Sequence, residues 1–334
     1  MSKKNVLTGA CGFVGSHILE YFKNNSIEEH EIIVSCKDAS KLPDGIECNM
    51  INGNLKDEAL QEKITKEADI LLHVASWAEM NGTLKNSQKE YYEPTISLIK
   101  KALKNGVRRF VFLSAITSNP IERETLHTKM ELSNIWAHYH TIMNIENYLK
   151  NIASIKMEIV ILRVGLFTGK NYSLGILPIL LPRLKTHLVP WIQKGETTLP
   201  LIDGEDIAQA FHLSAYKPMQ SVFTTIDIVG KEIPTVKEVF YYLHEKYKYP
   251  LPHYNVKFEW AYFVARFMRT IYKLSSYDPL IVPAIVLLLE ETHVSNDRAK
   301  NLLDFNPVVD WRKSIDIQIE QMQIVQKDKM RMNK

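Results

Sequence analysis

The sequence predicts an α/β fold: a doubly wound parallel sheet covered by helices, with a smaller, mainly helical region behind it. Three observations carry this reading. A short apolar strand leads straight into a glycine-rich turn and an amphipathic helix within the first 22 residues. Apolar runs rich in Val, Ile and Phe then alternate with helical patterns, as in parallel sheets covered on both faces. After Gly169 prolines punctuate the chain and strand signals thin out.

Asn5-Val6-Leu7-Thr8 reads as a buried strand, and beyond the glycines Ile18, Leu19 and Phe22 share one face of a helix. Further strands are expected at Glu31 to Ser35, Ile70 to Val74 and Arg109 to Leu113. Before the last of these, Ile96, Ile99, Ala102 and Leu103 form an apolar stripe, Lys100, Lys101 and Lys104 point away, and Asn105-Gly106 supplies the stop. Glu158 to Arg163 closes the N-terminal half. Prolines 178, 182, 190 and 200 then break the chain into short apolar segments, and Thr224 to Val229 is the firm strand that remains.

The 334 residues allow one large α/β unit or two smaller ones. A net charge of +3, mixed in sign along the chain, gives no footprint for nucleic acid. Cys11, Cys36 and Cys48 are an odd number without ligand spacing, so neither a disulfide framework nor a metal site is expected, and a reducing compartment fits. The N-terminus lacks a signal-peptide pattern, which points to the cytoplasm. The longest apolar run, Pro279 to Leu289, is interrupted by Pro283 and falls short of the roughly 20 residues of a spanning helix. It reads as a buried or substrate-facing helix, with no integral membrane segment. The aromatic stretch Trp260 to Met268 reads as packing rather than bilayer contact, and the basic end from Lys327 as a frayed tail.

Thr8-Gly9-Ala10-Cys11-Gly12-Phe13-Val14-Gly15 is the strongest motif, a G-x-x-G-x-x-G turn between strand and helix. A pyrophosphate approaching a helix N-terminus needs bare main chain, because the amides and the dipole favour an anion and side chains would block it. Thr8, Gly9, Cys11, Gly12, Phe13, Val14 and Gly15 are therefore expected to bind a dinucleotide, in a Rossmann-type fold.

The chain resembles the extended short-chain dehydrogenase/reductase family on further landmarks that follow in family order. Gly53-Asn54-Leu55 is similar to its G-D-L, and His73-Val74-Ala75-Ser76 to its H-x-A-A. Arg163 in Leu162-Arg163-Val164-Gly165 is similar to L-R-P-G, and Asp206 in Gly204-Glu205-Asp206-Ile207-Ala208 to a helix start. Asn296 to Pro307 resembles the family's closing segment. The resemblance implies cofactor contacts from Asn54, Leu55, Val74, Ala75, Ser76 and Arg163. Lys37, at the end of the second strand, falls where NADP-dependent, dihydroflavonol-reductase-like members carry Arg. A cation there suits a ribose 2′-phosphate, whereas a carboxylate would suit NAD. NADP(H) is favoured and NAD(H) is the alternative, with Asp38 adjacent.

Relatives reduce ketones or oxidise alcohols with Tyr-x-x-x-Lys and a Ser or Thr partner, the lysine lowering the tyrosine pKa. The resemblance implies Tyr139 as the acid, 25 residues after Ser114, with Ser114 or Thr117 as the hydroxyl partner. Two positions depart from the pattern. Met143 stands where the lysine belongs, and Ala115 stands in the usual serine register. An unassisted tyrosine is ionised in only ~0.1% of molecules at pH 7. His127, His138 and His140 read as packing or solvated residues, and Tyr91 replaces a structural Asn.

The expected organisation is a dinucleotide-binding Rossmann domain over 1–169, an interleaved substrate region over 170–325 and a disordered basic tail over 326–334. Three functional readings stay open. One is an NADP(H)-dependent oxidoreductase similar to 3β-hydroxysteroid dehydrogenases and dihydroflavonol reductases, acting on a bulky apolar ketone or alcohol. Another is a catalytically impaired NAD(P)-binding sensor, and the third a sugar-nucleotide epimerase or dehydratase. Tyr172, Leu174, Ile176, Leu177, Ile179, Leu180, Leu181 and Trp191 suit an apolar small-molecule substrate, whereas Arg183 and Lys185 suit a sugar nucleotide's phosphates. The resemblance also implies a possible homodimer through the two helices at Tyr91 to Lys104 and Tyr139 to Leu149.

Overall fold

The computed structural model describes residues 4–25, 32–43, 45–46, 48–80, 82–118, 136–154, 156–171, 176–275 and 281–332. The chain begins β1 (Asn5–Thr8), α1 (Phe13–Asn24), β2 (Ile32–Cys36), β3 (Asn49–Asn52), α2 (Glu58–Glu67) and β4 (Ile70–His73). A helical stretch follows, α3 (Leu84–Ser87) running through one wider turn into α4 (Glu93–Lys104), and then β5 (Arg109–Ala115), α5 (Ala137–Ile152) and β6 (Glu158–Val164). After β7 (Leu166–Thr168), α6 (Ile176–Leu184), β8 (Trp191–Ile192) and β9 (Leu201–Asp203), the chain returns to the sheet through α7 (Gly204–Tyr216) and β10 (Phe223–Ile228). It finishes with α8 (Val236–Tyr247), β11 (Asn255–Val256), α9 (Phe258–Ser275), α10 (Pro283–Leu288), α11 (Asp297–Leu303) and α12 (Trp311–Met332).

Seven strands form one parallel sheet in the order β3-β2-β1-β4-β5-β6-β10. Alternation along each strand decides which helices cover which face. Leu7, Val111 and Leu113 point to the side packed by Ile18 of α1, Phe211 of α7 and Leu303 of α11. Val6, Phe110 and Phe112 point to the side packed by Ile64 of α2, Ile99 of α4 and Ile145 of α5. The order reverses between β1 and β4, and such switch points open a crevice at the carboxyl ends of the strands.

Buried polar groups lock the returning segment. Arg109, 3% exposed, donates to the carbonyls of Ser214 (3.0 Å), Ala215 (2.9 Å) and Lys217 (2.7 Å) and to Glu158 (2.7 Å), so it caps α7 and is fully satisfied despite its burial. Asp206 accepts from the amides of Val308 (2.8 Å) and Val309 (3.2 Å), and burial raises its carboxyl pKa to about 6.

The second region departs from expectation in three places. α6 carries Pro178 and Pro182 within it rather than breaking at them. Pro178 sits in the first turn, where an amide would have no partner anyway, and Pro182 forgoes a bond near the C-terminal end. The chain also forms two short parallel pairs, β7 with β9 and β8 with β11, which are too brief to leave a periodic signal. The backbone of α12 runs helical to Met332. The Trp260 to Met268 stretch does not simply pack: Ala261 and Ala265 meet Val286, while Trp260, Phe263 and Phe267 face outward. His127, Tyr172 and Leu174 lie outside the described residues. No helix among the described residues is long and apolar enough to cross a membrane.

Candidate functional site

A cleft of about 520 Å³ opens at the switch point, lined by Gly9, Cys11, Gly12, Phe13, Val14 and Gly15 of the turn. The three glycines do different work. Gly9 has φ +80°, and an added Cβ would lie 2.6 Å from the Ala75 amide nitrogen. At Gly15 an added Cβ would lie 2.6 Å from the Ala10 Cα, so this glycine lets α1 close onto the turn. A Cβ on Gly12 would approach only the Gly9 carbonyl, at 3.3 Å, and otherwise project into open space. Gly12 is also the N-cap of α1 and brings no capping side chain, so the first-turn amides and the helix dipole point at the cleft. These residues fit a dinucleotide pyrophosphate. Thr8 stands behind the turn, buried, its hydroxyl 2.7 Å from His73 Nδ1. Burial holds His73, whose other nitrogen is 3.2 Å from the Thr95 hydroxyl, down to a pKa of about 3.

The β2 end of the cleft is basic. Lys37 and Lys41 line it, and Lys56, in the loop after β3, lines the cleft paired with Glu90. Asp38 also lines it, but its carboxylate is occupied by its own loop, accepting from the Ser40 hydroxyl (2.7 Å) and amide (3.2 Å) with Lys41 at 3.7 Å. The Ser40 hydroxyl, foremost, holds its pKa below the usual carboxylate range. Asn54, Leu55, Val74, Ala75 and Ser76 line the neighbouring stretch, together with Tyr91 and Phe167.

The opposite wall is α5, and its lining differs from the expected catalytic set. His138 and Ile142 line the cleft, whereas Tyr139 and Met143 do not. Tyr139 is 3% exposed and packs with Trp136, Val282, Ala284 and Leu287 in a separate cluster. The phase of the helix explains this. Ile142, Ile145 and Leu149 are its core stripe, so the four-residue step back along that stripe reaches 138, not 139. Ala115 lines the cleft, Thr117 is buried in the turn beyond β5, and Ser114 lines the cleft with its hydroxyl donated to Glu146. Arg163 is likewise absent from the lining. Its guanidinium holds Glu146 at 2.7 and 3.2 Å, and Ser118 donates to the same carboxylate at 2.6 Å. This buried pair fastens α5 to β6. Of the three expected catalytic side chains, then, only Ser114 reaches the cleft.

Sequence reasoning read His138 as a packing or solvated residue and Tyr91 as standing at a structural Asn position; both line the cleft, and the α5 stripe held the signal for the first. Their rings stack 5.7 Å apart at 22°. Burial pushes the His138 pKa down to about 4, its Nδ1 has no hydrogen-bond partner among the described residues, and burial raises the Tyr91 phenol above its ordinary range.

A second cavity, about 560 Å³, lies beyond the first turn of α5, lined by residues of α6, α8, α9 and α10 such as Ile179, Phe240, Val264 and Ile285. Its lining is almost wholly apolar. Arg183 is the charged group there, and one of its nitrogens donates to the Ile179 carbonyl at 2.8 Å. Met80, Ile285 and Leu288 line this cavity and also pack in the cluster around Tyr139, so of two consecutive residues His138 lines the cleft while Tyr139 is buried in the packing beside the second cavity.

The parallel sheet and the glycine turn at its switch point define a Rossmann protein of the extended short-chain dehydrogenase/reductase type. The model of the NAD dependent epimerase/dehydratase family matches residues 6–225, and the chain belongs to that family. Solved structures agree on the fold. The protein gox2253 aligns with TM-score 0.74 at 19% identity, covering 96% of this chain and 98% of its own. UDP-glucose 4-epimerase from Thermotoga maritima, solved with UDP-glucose, aligns with TM-score 0.71 at 18% identity over 96% and 99%. The Thermus thermophilus UDP-glucose 4-epimerase complex with NAD gives 0.68 at 17% over 96% and 99%. At these identities the likeness concerns the fold. A comparison with curated protein sequences found no match.

Proposed function

We propose that this chain is an NADP(H)-binding receptor for a bulky apolar molecule, in which the family's lysine is replaced by Met143, the motif tyrosine lies off the cleft, and hydride transfer is slow or absent. The observation that carries this is the α5 wall: the two positions one helical step apart that line the cleft are His138 and Ile142. Ile142 has no charge with which to lower a phenol's pKa, and Ala115 has no hydroxyl to orient a carbonyl. His138, held neutral by burial, is a weak proton donor at pH 7.

NADP(H) is supported over NAD(H) by Lys37 and Lys41 at the β2 end and by the engagement of Asp38 with Ser40. An apolar ligand is supported by the lining of the second cavity, where a sugar's hydroxyls and phosphates would lose water without gaining partners. That counts against the sugar-nucleotide chemistry of the epimerases whose fold it shares.

A second reading, reduction of an apolar ketone, is favoured by Tyr91, a protonated phenol on the cleft wall. A bound nicotinamide would supply the hydride, and Tyr91 would hold the proton at its hydroxyl. Thermal shift with NADPH and NADH tests binding, and no stabilisation by either overturns the proposal. NADPH oxidation is then followed with apolar ketones and UDP-sugars. Turnover that disappears in Tyr91→Phe selects the second reading, and turnover on UDP-sugars overturns both.

A further inference from the structure

α9 carries its apolar residues on the outside. Trp260, Phe263 and Phe267 are 64%, 62% and 61% exposed, and Val264 and Ile271 are exposed as well. At ~100° per residue these five positions fall within a single arc of about 100°. The buried side of the helix, Phe258, Ala261 and Ala265, is a different arc, so the exposed stripe is not the edge of the core. Arg266 flanks the stripe near Glu259, the single acid of the helix, with its guanidinium 5.9 Å over the Tyr262 ring, Lys257 is exposed just before the first turn, and Arg269 lies on the side of the helix opposite the stripe.

The stripe is continuous with the apolar cavity. Trp260 and Val264 are exposed and also line it, as do Leu188 and Tyr254, which are exposed in turn. Residues that both face outward and line a cavity form its rim, so the mouth opens beside the stripe. The occupant of this surface has to satisfy an apolar arc centred on Trp and Phe, a cationic flank and an open apolar chamber. A second copy of the chain would bring its own cations against these, whereas an anionic bilayer supplies acyl chains for the stripe and phosphates for Lys257 and Arg266.

We propose that α9 lies in the plane of an anionic phospholipid bilayer, with Trp260, Phe263 and Phe267 at the level of the acyl boundary and the cavity mouth facing the lipid. A ligand of the membrane phase then enters without crossing water. The helix docks on the surface and does not span it. This inference does not depend on cofactor binding.

The test is flotation of the full chain with vesicles of phosphatidylcholine alone and of phosphatidylcholine with 30% phosphatidylglycerol, roughly the cytoplasmic-leaflet charge regime in which basic residues near the surface are attracted. Expected is partition at least tenfold stronger onto the anionic vesicles, reduced at least tenfold by Phe263→Ser with Phe267→Ser and weakened by Arg266→Gln. Tryptophan emission should shift to the blue on binding, and the shift should shrink in Trp260→Phe. The side chains of Phe263, Arg266 and Phe267 are exposed and line neither cavity, so in those variants thermal unfolding and the NADPH-induced shift should be those of the unaltered chain. Absence of partition onto either vesicle, or partition undiminished in the Phe263→Ser, Phe267→Ser variant, overturns the proposal. So does a concentration-dependent dimer dispersed by the same variant without vesicle binding, which would make the stripe a contact between copies.

Discussion

The imidazole of His138 lies 5.7 Å from the ring of Tyr91 and 22° from parallel to it, on the wall of the dinucleotide cleft. Both groups are almost fully buried, and each is held in its neutral form by the cost of burying charge.

His138 should make stability pH-dependent. Its folded pKa of about 4 lies below the 6.5 of the free side chain, so the unfolded chain binds the proton first as pH falls. Stability is therefore unaffected by this group above about 6.5 and is lost between 6.5 and 4, by up to about 3 kcal/mol. The difference in denaturation midpoint between the chain and His138→Phe, measured from pH 7.5 to 4.5, should change in favour of the variant as pH falls. A flat difference would refute the assignment.

Tyr139 should matter for packing and not for the cofactor. Tyr139→Ala removes a buried ring from the cluster with Trp136 and Leu287 and should cost about 3 kcal/mol, read by denaturant unfolding. Tyr139→Phe should leave NADPH affinity unchanged within twofold by calorimetry. A tenfold loss in Tyr139→Phe would return the residue to the site.

Gly12 and Gly15 should separate binding from folding. Gly12→Val projects into open space at an ordinary φ of −85°, so the fold should survive while NADPH stabilisation falls at least tenfold in apparent affinity. Gly15→Ala drives a Cβ into the Ala10 backbone and should destabilise the apoprotein itself. If Gly12→Val binds NADPH normally, the pyrophosphate does not sit at this turn.

Lys37→Glu tests cofactor choice. It places a carboxylate at the basic β2 end of the cleft, and NADPH affinity should fall about tenfold or more while NADH affinity changes little, in parallel titrations. Equal losses for the two would show that Lys37 does not meet a 2′-phosphate.

Much was legible in the residues. The glycine turn, the strands beginning at Asn5, Ile70, Arg109 and Glu158, and the core stripe of α4 follow from local patterns, because backbone crowding and face periodicity are properties of neighbours in sequence. Most of the residues expected around a dinucleotide do line one cleft. The exceptions, Thr8 and Arg163, are polar groups whose partners, His73 and Glu146, lie far along the chain.

The sequence by itself determined an α/β sheet with a bare main-chain turn at its opening and a weakened Tyr-x-x-x-Lys region. Only the tertiary structure decided which side of α5 faces the cleft, where Arg163 is spent, and that α9 leaves Trp260 and Phe267 uncovered beside an apolar chamber. A one-residue step turns a helix by ~100°, enough to exchange His138 for Tyr139 at the site, and that angle is settled by what packs against the helix rather than by spacing along it.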